Sequence, residues 1–153
     1  MSDPQTPPAS DGLTGSGSVV SESSGPRLRA DRPSLSALVV AHNEEAALPD
    51  CLRSLSFADE VVVVLDRCTD RSRDVAAAAG ARLIEGAWSI EGDRRNTGID
   101  ACRGDWVLEV DADERVTPAL AAEILALLPG APPGHFGIPF DNYIGGRLVR
   151  HGW

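Results

Sequence analysis

Apolar residues fall into short unbroken runs from residue 35 onward, separated by stretches in which they recur every three or four positions. LSALVVA (Leu35 to Ala41) and VVVVL (Val61 to Leu65) lack polar alternation, so they suit strands covered on both faces. Between them Leu48, Leu52 and Leu55 keep helical spacing, with Asn43 as a candidate cap and Pro49 in the first turn. After the second run, Thr69 or Asp70 is placed to cap a helix through RSRDVAAAA that Gly80 closes. ARLIE is a third strand, Ile90 to Ala101 a helix weakened by Gly98, and WVLEV (Trp106 to Val110) a fourth strand. Thr117-Pro118 opens an amphipathic helix through Leu128, closed by Pro129-Gly130. FGIPF and NYIGGRLVR read as a hairpin-like pair of trailing strands. Four strand–helix alternations predict an α/β fold with a mostly parallel sheet, flanking helices and right-handed crossovers.

The start of the chain is different material. Residues 1–33 are dominated by Pro, Gly, Ser, Thr and Asp, with Val19-Val20 the one apolar cluster. Such a segment buries too little apolar surface to offset its ordering entropy, and it lacks the basic start and apolar core of a signal peptide. It is expected to be a disordered tail, leaving residues 34–153 for one compact domain. No apolar run approaches the roughly 20 residues of a membrane span. The 153 residues carry a net charge of −9, and all 14 basic residues are Arg. That balance argues against non-specific nucleic-acid binding, while leaving room for a small phosphorylated ligand held by local Arg or a metal ion. Cys51, Cys68 and Cys102 are far apart and form no CxxC, which suits a reducing, cytoplasmic setting.

Three loops fall at the carboxyl ends of strands, where open α/β sheets bind ligands. AHNEE offers Asn43, Glu44 and Glu45 either to a ligand's polar atoms or to the start of the next helix. In LDRCTD, Asp66 lies one residue past the strand and is free to accept hydrogen bonds from a base or ribose, whereas Asp70 reads as a structural cap. VLEVDADER carries the most chemistry. Residues i and i+2 of an extended chain face one way, so Asp111 and Asp113 can point together and share a Mg²⁺ or Mn²⁺ ion that leaves positions for water and phosphate. Arg94-Arg95-Asn96 supplies planar cationic donors for phosphate, or equally partners for Glu91 or Asp93.

AHNEEAALPDCLRSL, VVVVLDRCTDRS, WSIEGDRRNTGIDACRGDWVLEVDADERVTPAL and NYIGGRLVRHGW together resemble family 2 glycosyltransferases, closest to the lipopolysaccharide-core glucosyltransferase-like branch. The resemblance covers roughly Ser36 to Trp153. It implies a Rossmann-like GT-A fold and an inverting, metal-dependent transfer of sugar from a nucleotide-diphosphate donor to a hydroxyl on a glycan or lipid-linked acceptor. By position, Ala41, Asn43 and Glu44 would border the nucleotide and Asp66 would approach its base. Arg95 and Asn96 would lie near the phosphates and ribose, and Asp111 and Asp113 would form the DxD pair that holds Mg²⁺ or Mn²⁺. Two positions depart from the family pattern: Leu65 stands where a second acid is common, and Arg94 where a Gln is common.

Relatives of this kind continue about a hundred residues further and carry the catalytic base there, so no base is assigned in this chain. The alternative to a transferase is accordingly a nucleotide-sugar-binding module that catalyses nothing, a truncated remnant or half of a split enzyme. A nucleotidyltransferase ranks last, because AHNEE is acidic where such an enzyme carries a Gly-rich basic loop. The cytoplasm, including the inner face of the membrane, is the expected location. The apolar load between Phe136 and Arg150 predicts self-association or a partner chain.

Overall fold

The computed structural model describes residues 32–144 and 146–149. The proposed tail up to residue 31 and the final segment 150–153 lie outside the described residues. Four parallel strands, β1 (Leu35–Ala41), β2 (Glu60–Asp66), β3 (Arg82–Gly86) and β4 (Trp106–Asp111), form one sheet in the order β3-β2-β1-β4. The registers run Ser36↔Glu60, Leu35↔Trp106 and Val62↔Arg82. Helices α1 (Leu48–Ser54), α2 (Ser72–Ala78), α3 (Glu91–Ala101) and α4 (Pro118–Leu127) connect or follow them. The mostly parallel α/β layout read from the apolar runs is therefore present.

The sheet grows outward from β1 to β3 and then reverses, with β4 added on the other side of β1. Right-handed crossovers put α1 and α2 on one face and send α3 to the opposite face. The period-two alternation of strands divides the side chains accordingly. Leu35, Ala37, Val39 and Ala41 meet Val63, Leu65, Leu108 and Val110 in one core with Leu48, Cys51, Leu52, Leu55 and Ala76. Leu120, Ala121, Ile124 and Leu125 of α4 lean on the same core, although Leu127 remains 47% exposed. On the α3 face the fully buried apolar residues among those described are Leu38, Val62 and Val64, flanked by Val40, Ile84, Trp88, Cys102 and Val107.

Gly98, which lowers helix propensity, has a packing reason. A Cβ there would sit 2.5 Å from Leu38 Cδ1 and 2.9 Å from Val64 Cγ2, so only glycine lets α3 lie this close to the sheet. Gly80, at φ +75°, ends the α2 turn as expected.

Three local expectations are corrected. Asn43 does not cap α1, which starts later at Leu48 behind Ala47 with no side-chain cap. Of the two candidates before α2, Thr69 or Asp70, it is Asp70 whose Oδ1 accepts the Ser72 N–H, at 3.0 Å. FGIPF pairs with nothing among the described residues, where Pro139 removes a ladder donor. The hairpin instead forms inside NYIGGRLVR, as β5 (Asn142–Ile144) against β6 (Arg147–Val149), turning through Gly146 at φ +77°. Phe136, Phe140 and Tyr143 are 50%, 71% and 64% exposed. Arg32, assigned above to the tail, is held by a two-pronged ion pair with Asp59 at 2.9 and 3.1 Å, and Asp59 also accepts the Leu35 N–H. The folded unit thus includes Arg32.

Candidate functional site

Strand alternation carries three rows along the α3 face, Leu38-Val40-His42, Val62-Val64-Asp66 and Val107-Glu109-Asp111. Each row ends in a polar group at the carboxyl edge of the sheet. That edge, between β1 and β4, is where the strand order reverses and where open α/β sheets leave a crevice for ligands.

The loops after β1 and β2 are tied to each other. Asn43 adopts φ 59°, a conformation that Asn tolerates better than most residues. Its Oδ1 accepts the N–H groups of Thr69 at 2.7 Å and Asp70 at 3.3 Å. The Glu44 N–H donates to Ser72 Oγ at 2.9 Å, and the Glu45 N–H to Asp70 Oδ2 at 2.9 Å. Burial works against ionisation of Asp70, yet the Ser72 hydroxyl and the Ser72 and Glu45 N–H groups keep its carboxyl below the usual range. Ala41 is buried, and its carbonyl accepts from the Cys68 thiol. Of the first-loop candidates, then, Asn43 acts as a staple between loops, Ala41 offers no exposed side chain, and the Glu44 carboxylate makes no hydrogen bond among the described residues.

Asp66 is 1% exposed and already fully engaged. Arg67 grips it as a fork, Nε to Oδ1 at 3.0 Å and Nη2 to Oδ2 at 3.1 Å. The Trp88 N–H reaches Oδ1 at 3.2 Å and Arg94 Nη1 reaches Oδ2 at 3.2 Å. Burial opposes the charge, but these donors outweigh it and hold the carboxyl below the ordinary carboxylate range. A carboxylate offers about four acceptor positions, so the expectation that Asp66 stands free for a base is corrected: its own chain fills it. His42 Nδ1 donates to the Asp66 carbonyl, closing the loop from below. Arg67, Trp88 and His42 were not singled out in the sequence; His42 is the one with a signal, two residues beyond Val40 on the same face.

The first two turns of α3 bridge the ends of β2 and β4. Arg95 Nη2 donates to Asp111 Oδ1 at 2.9 Å and to Glu91 Oε1 at 3.2 Å, with Glu109 3.9 Å from Nη1. Burial pulls the Arg95 pKa down, and Asp111, Glu91 and Glu109 together push it up. The ion-pair reading of this patch holds, since Arg95 pairs with Glu91, and the same guanidinium also reaches Asp111. Arg94 joins Asp66 to Glu91, leaving its Nε buried without a partner among the described residues. Asn96 is exposed on the same turn.

β4 ends at Asp111, so Asp113 lies in the following turn rather than in the strand. The alternation nonetheless persists, with Val110 and Ala112 buried and Asp111 and Asp113 exposed. The turn is fastened by the Asp111 N–H to Glu114 Oε2 at 3.0 Å and the Glu114 N–H to the Asp111 carbonyl at 2.9 Å. Among the described residues no group of three or more His, Cys, Asp or Glu side chains gathers as a metal cage. Mg²⁺ and Mn²⁺ do not require one: one or two carboxylates suffice when phosphate and water complete the shell. The donor set fits such an ion, and a cationic group, the Arg95 guanidinium, already rests on Asp111. A cavity of about 200 Å³ lined by Arg67, Thr69, Arg73 and Glu85 and one of about 400 Å³ lined by Asp59, Arg82 and Arg103 both lie away from the acid pair.

The four-stranded parallel sheet with flanking helices and a separate hairpin, its order reversing where these acids and guanidinium groups stand, has the layout of the GT-A class. The sequence matches the Glycosyl transferase family 2 model over residues 36–151, and the chain belongs to that family. It is 32% identical to an uncharacterized glycosyltransferase of Rickettsia bellii over 59% of this chain and 31% of that protein. It is 29% identical to the lipopolysaccharide core biosynthesis glycosyltransferase LpsC of Rhizobium meliloti, over 76% of this chain and 42% of that one. The chain thus spans about a third of the length of the first of these relatives. Glucosyl-3-phosphoglycerate synthase of Mycobacterium tuberculosis in complex with UDP superimposes with a TM-score of 0.50 at 26% identity, over 54% of this chain and 34% of that one. The fold is shared with Staphylococcus aureus TarS 1-349, at a TM-score of 0.55 and 22% identity over 70% of this chain and 38% of that one. Among the described residues, no helix is long and apolar enough to cross a membrane.

Proposed function

We propose that this chain forms the donor-binding part of a metal-assisted, inverting glycosyltransferase that moves a sugar from a nucleotide diphosphate to a hydroxyl of a glycan or lipid-linked acceptor. The observation that carries the reading is the Arg95–Asp111 pair at the strand-order switch of a family 2 sheet, with Asn96 and Asp113 exposed next to it along the chain. Asp111 and Asp113 are the residues that would hold a divalent cation, which supplies charge neutralisation to the departing diphosphate. Arg95 gives phosphate oxygens planar, always-charged donors, and Asn96 stands beside it for phosphate or ribose. Asn43 and Glu44 border the nucleotide from the first loop, with the Asn43 staple keeping that loop in register with the second. Asp66 acts from beneath, holding Arg67 and Arg94 in place at the base end. Exposed Phe136, Phe140 and Tyr143 support association with another copy or a partner chain.

Calorimetry with UDP, GDP and ADP, each in MnCl₂ and in EDTA, tests the reading. The expected result is that one nucleotide, with UDP the first candidate, binds at least about tenfold more tightly in Mn²⁺, because the two acids otherwise repel its phosphates. Equal affinity in both conditions removes the metal assignment, and no binding of any nucleotide removes the donor site. Binding with no hydrolysis of the matching nucleotide sugar favours the non-catalytic module.

A further inference from the structure

Arg95 occupies an unusual position: one guanidinium surrounded by three carboxylates, Asp111 at 2.9 Å, Glu91 at 3.2 Å and Glu109 at 3.9 Å. Of these, only Asp111 belongs to the acid pair. Glu91 lies one helical turn before Arg95 on the same helix α3, so that pair does not depend on β4. We infer that Arg95 is the resident counter-ion of Asp111 in the empty protein, that a divalent cation competes with it for that carboxylate, and that the displaced guanidinium passes to the incoming diphosphate. This rests on the donor-binding reading above and assigns a positioning role within it.

The physical argument is one of charge. A guanidinium on Oδ1 and a dication bound to the same carboxylate would stand only a few ångströms apart, where like charges repel strongly in a half-buried setting. The side chains of Arg95 and Asp111 are 30% and 52% exposed, so the existing pair is weak enough to exchange. Glu91 gives the guanidinium a second anchor, which limits how far it retreats and leaves its outer N–H groups directed to whatever anion arrives. Arg94, paired with Asp66 and Glu91, adds a second positive charge on the β2 side. Arg95 would thereby couple the two ligands, leaving Asp111 when that carboxylate holds a cation and turning to the diphosphate.

The coupling makes Arg95→Gln act with opposite signs on two ligands, which a merely structural role does not produce. Free Mn²⁺ is followed by electron paramagnetic resonance during titration of the full chain with MnCl₂ alone, and UDP affinity is then measured at saturating Mn²⁺. Arg95→Gln is expected to bind Mn²⁺ alone about three- to tenfold more tightly than the parent, and UDP with Mn²⁺ about tenfold more weakly. Arg95→Lys, which retains the charge, is expected to stay within about twofold of the parent for Mn²⁺. Unchanged or weaker Mn²⁺ binding in Arg95→Gln overturns the competition, and UDP affinity that does not fall overturns the transfer to phosphate. Failure of the parent to bind Mn²⁺ with or without UDP overturns the metal reading itself, a result distinct from the other two.

Discussion

The two faces of the sheet are built from the same four strands but to different ends. On the side of α1, α2 and α4, alternate strand residues meet three helices and sixteen buried residues form one continuous core. On the α3 side the same strands bury three apolar residues among those described, and their carboxyl ends finish in His42, Asp66 and Asp111 instead of apolar groups. The thick face supplies cohesion, and the thin face is left open enough to host charge. Stability and chemistry can therefore be perturbed separately, and the substitutions that follow separate them.

The largest effect is expected on the thick face. Leu48 is completely buried, and Leu48→Ala removes a side chain from a core that cannot fully collapse, at a cost of about 3 kcal/mol in urea denaturation. Nucleotide binding by the fraction that remains folded should be unchanged, and a comparable loss of affinity would mean that the two faces are not independent. Gly98→Ala tests the thin face. Helix propensity gains up to about 1 kcal/mol, but the new methyl collides with Leu38 and Val64. The expected net loss is about 1 kcal/mol of stability together with weaker nucleotide binding, as α3 carries Arg94 and Arg95 outward; a stabilised variant would show that the helix yields easily.

The smallest effect concerns pH. Because the folded-state pKa of Asp66 is lowered, its ionised form stabilises the fold above the unfolded value of about 4, and that contribution is lost as pH falls through the lower folded value. Asp66→Asn should therefore be less stable at neutral pH and show a flatter decline below about pH 4, followed by circular dichroism. Parallel acid-unfolding curves for the two proteins would contradict the ion-pair account.

What was legible in the sequence follows the same division. β1 and β2 announce themselves because central parallel strands are buried on both faces and need apolar residues at nearly every position. Asp111 and Asp113 were legible because they stand at and just beyond the end of WVLEV, an edge strand whose apolar residues still mark it. Polar roles were harder to read: whether Asn43 caps a helix or staples two loops depends on a left-handed backbone angle and on Thr69, 26 residues away. Asp66 could be placed at a strand end, but its burial comes from Arg67, Trp88 and Arg94, which reach it through tertiary folding. FGIPF has the composition of a strand, yet composition does not provide a partner.

The strand order also has a kinetic side. β1, β2 and β3 follow one another in space as in sequence, so their pairing closes short loops. β4 has to return across the sheet to the far edge of β1, matching Leu35 with Trp106. Loop closure makes that pairing entropically the most expensive of the three, and contacts so distant in sequence form slowly. The acid pair travels on that strand, while the guanidinium that meets it is on the crossover helix just before it. An intermediate lacking β4 would have most of its helices and three of its strands and still no site. Recovery of ligand binding during refolding should accordingly lag behind recovery of secondary structure, so that binding competence reports the arrival of the last strand.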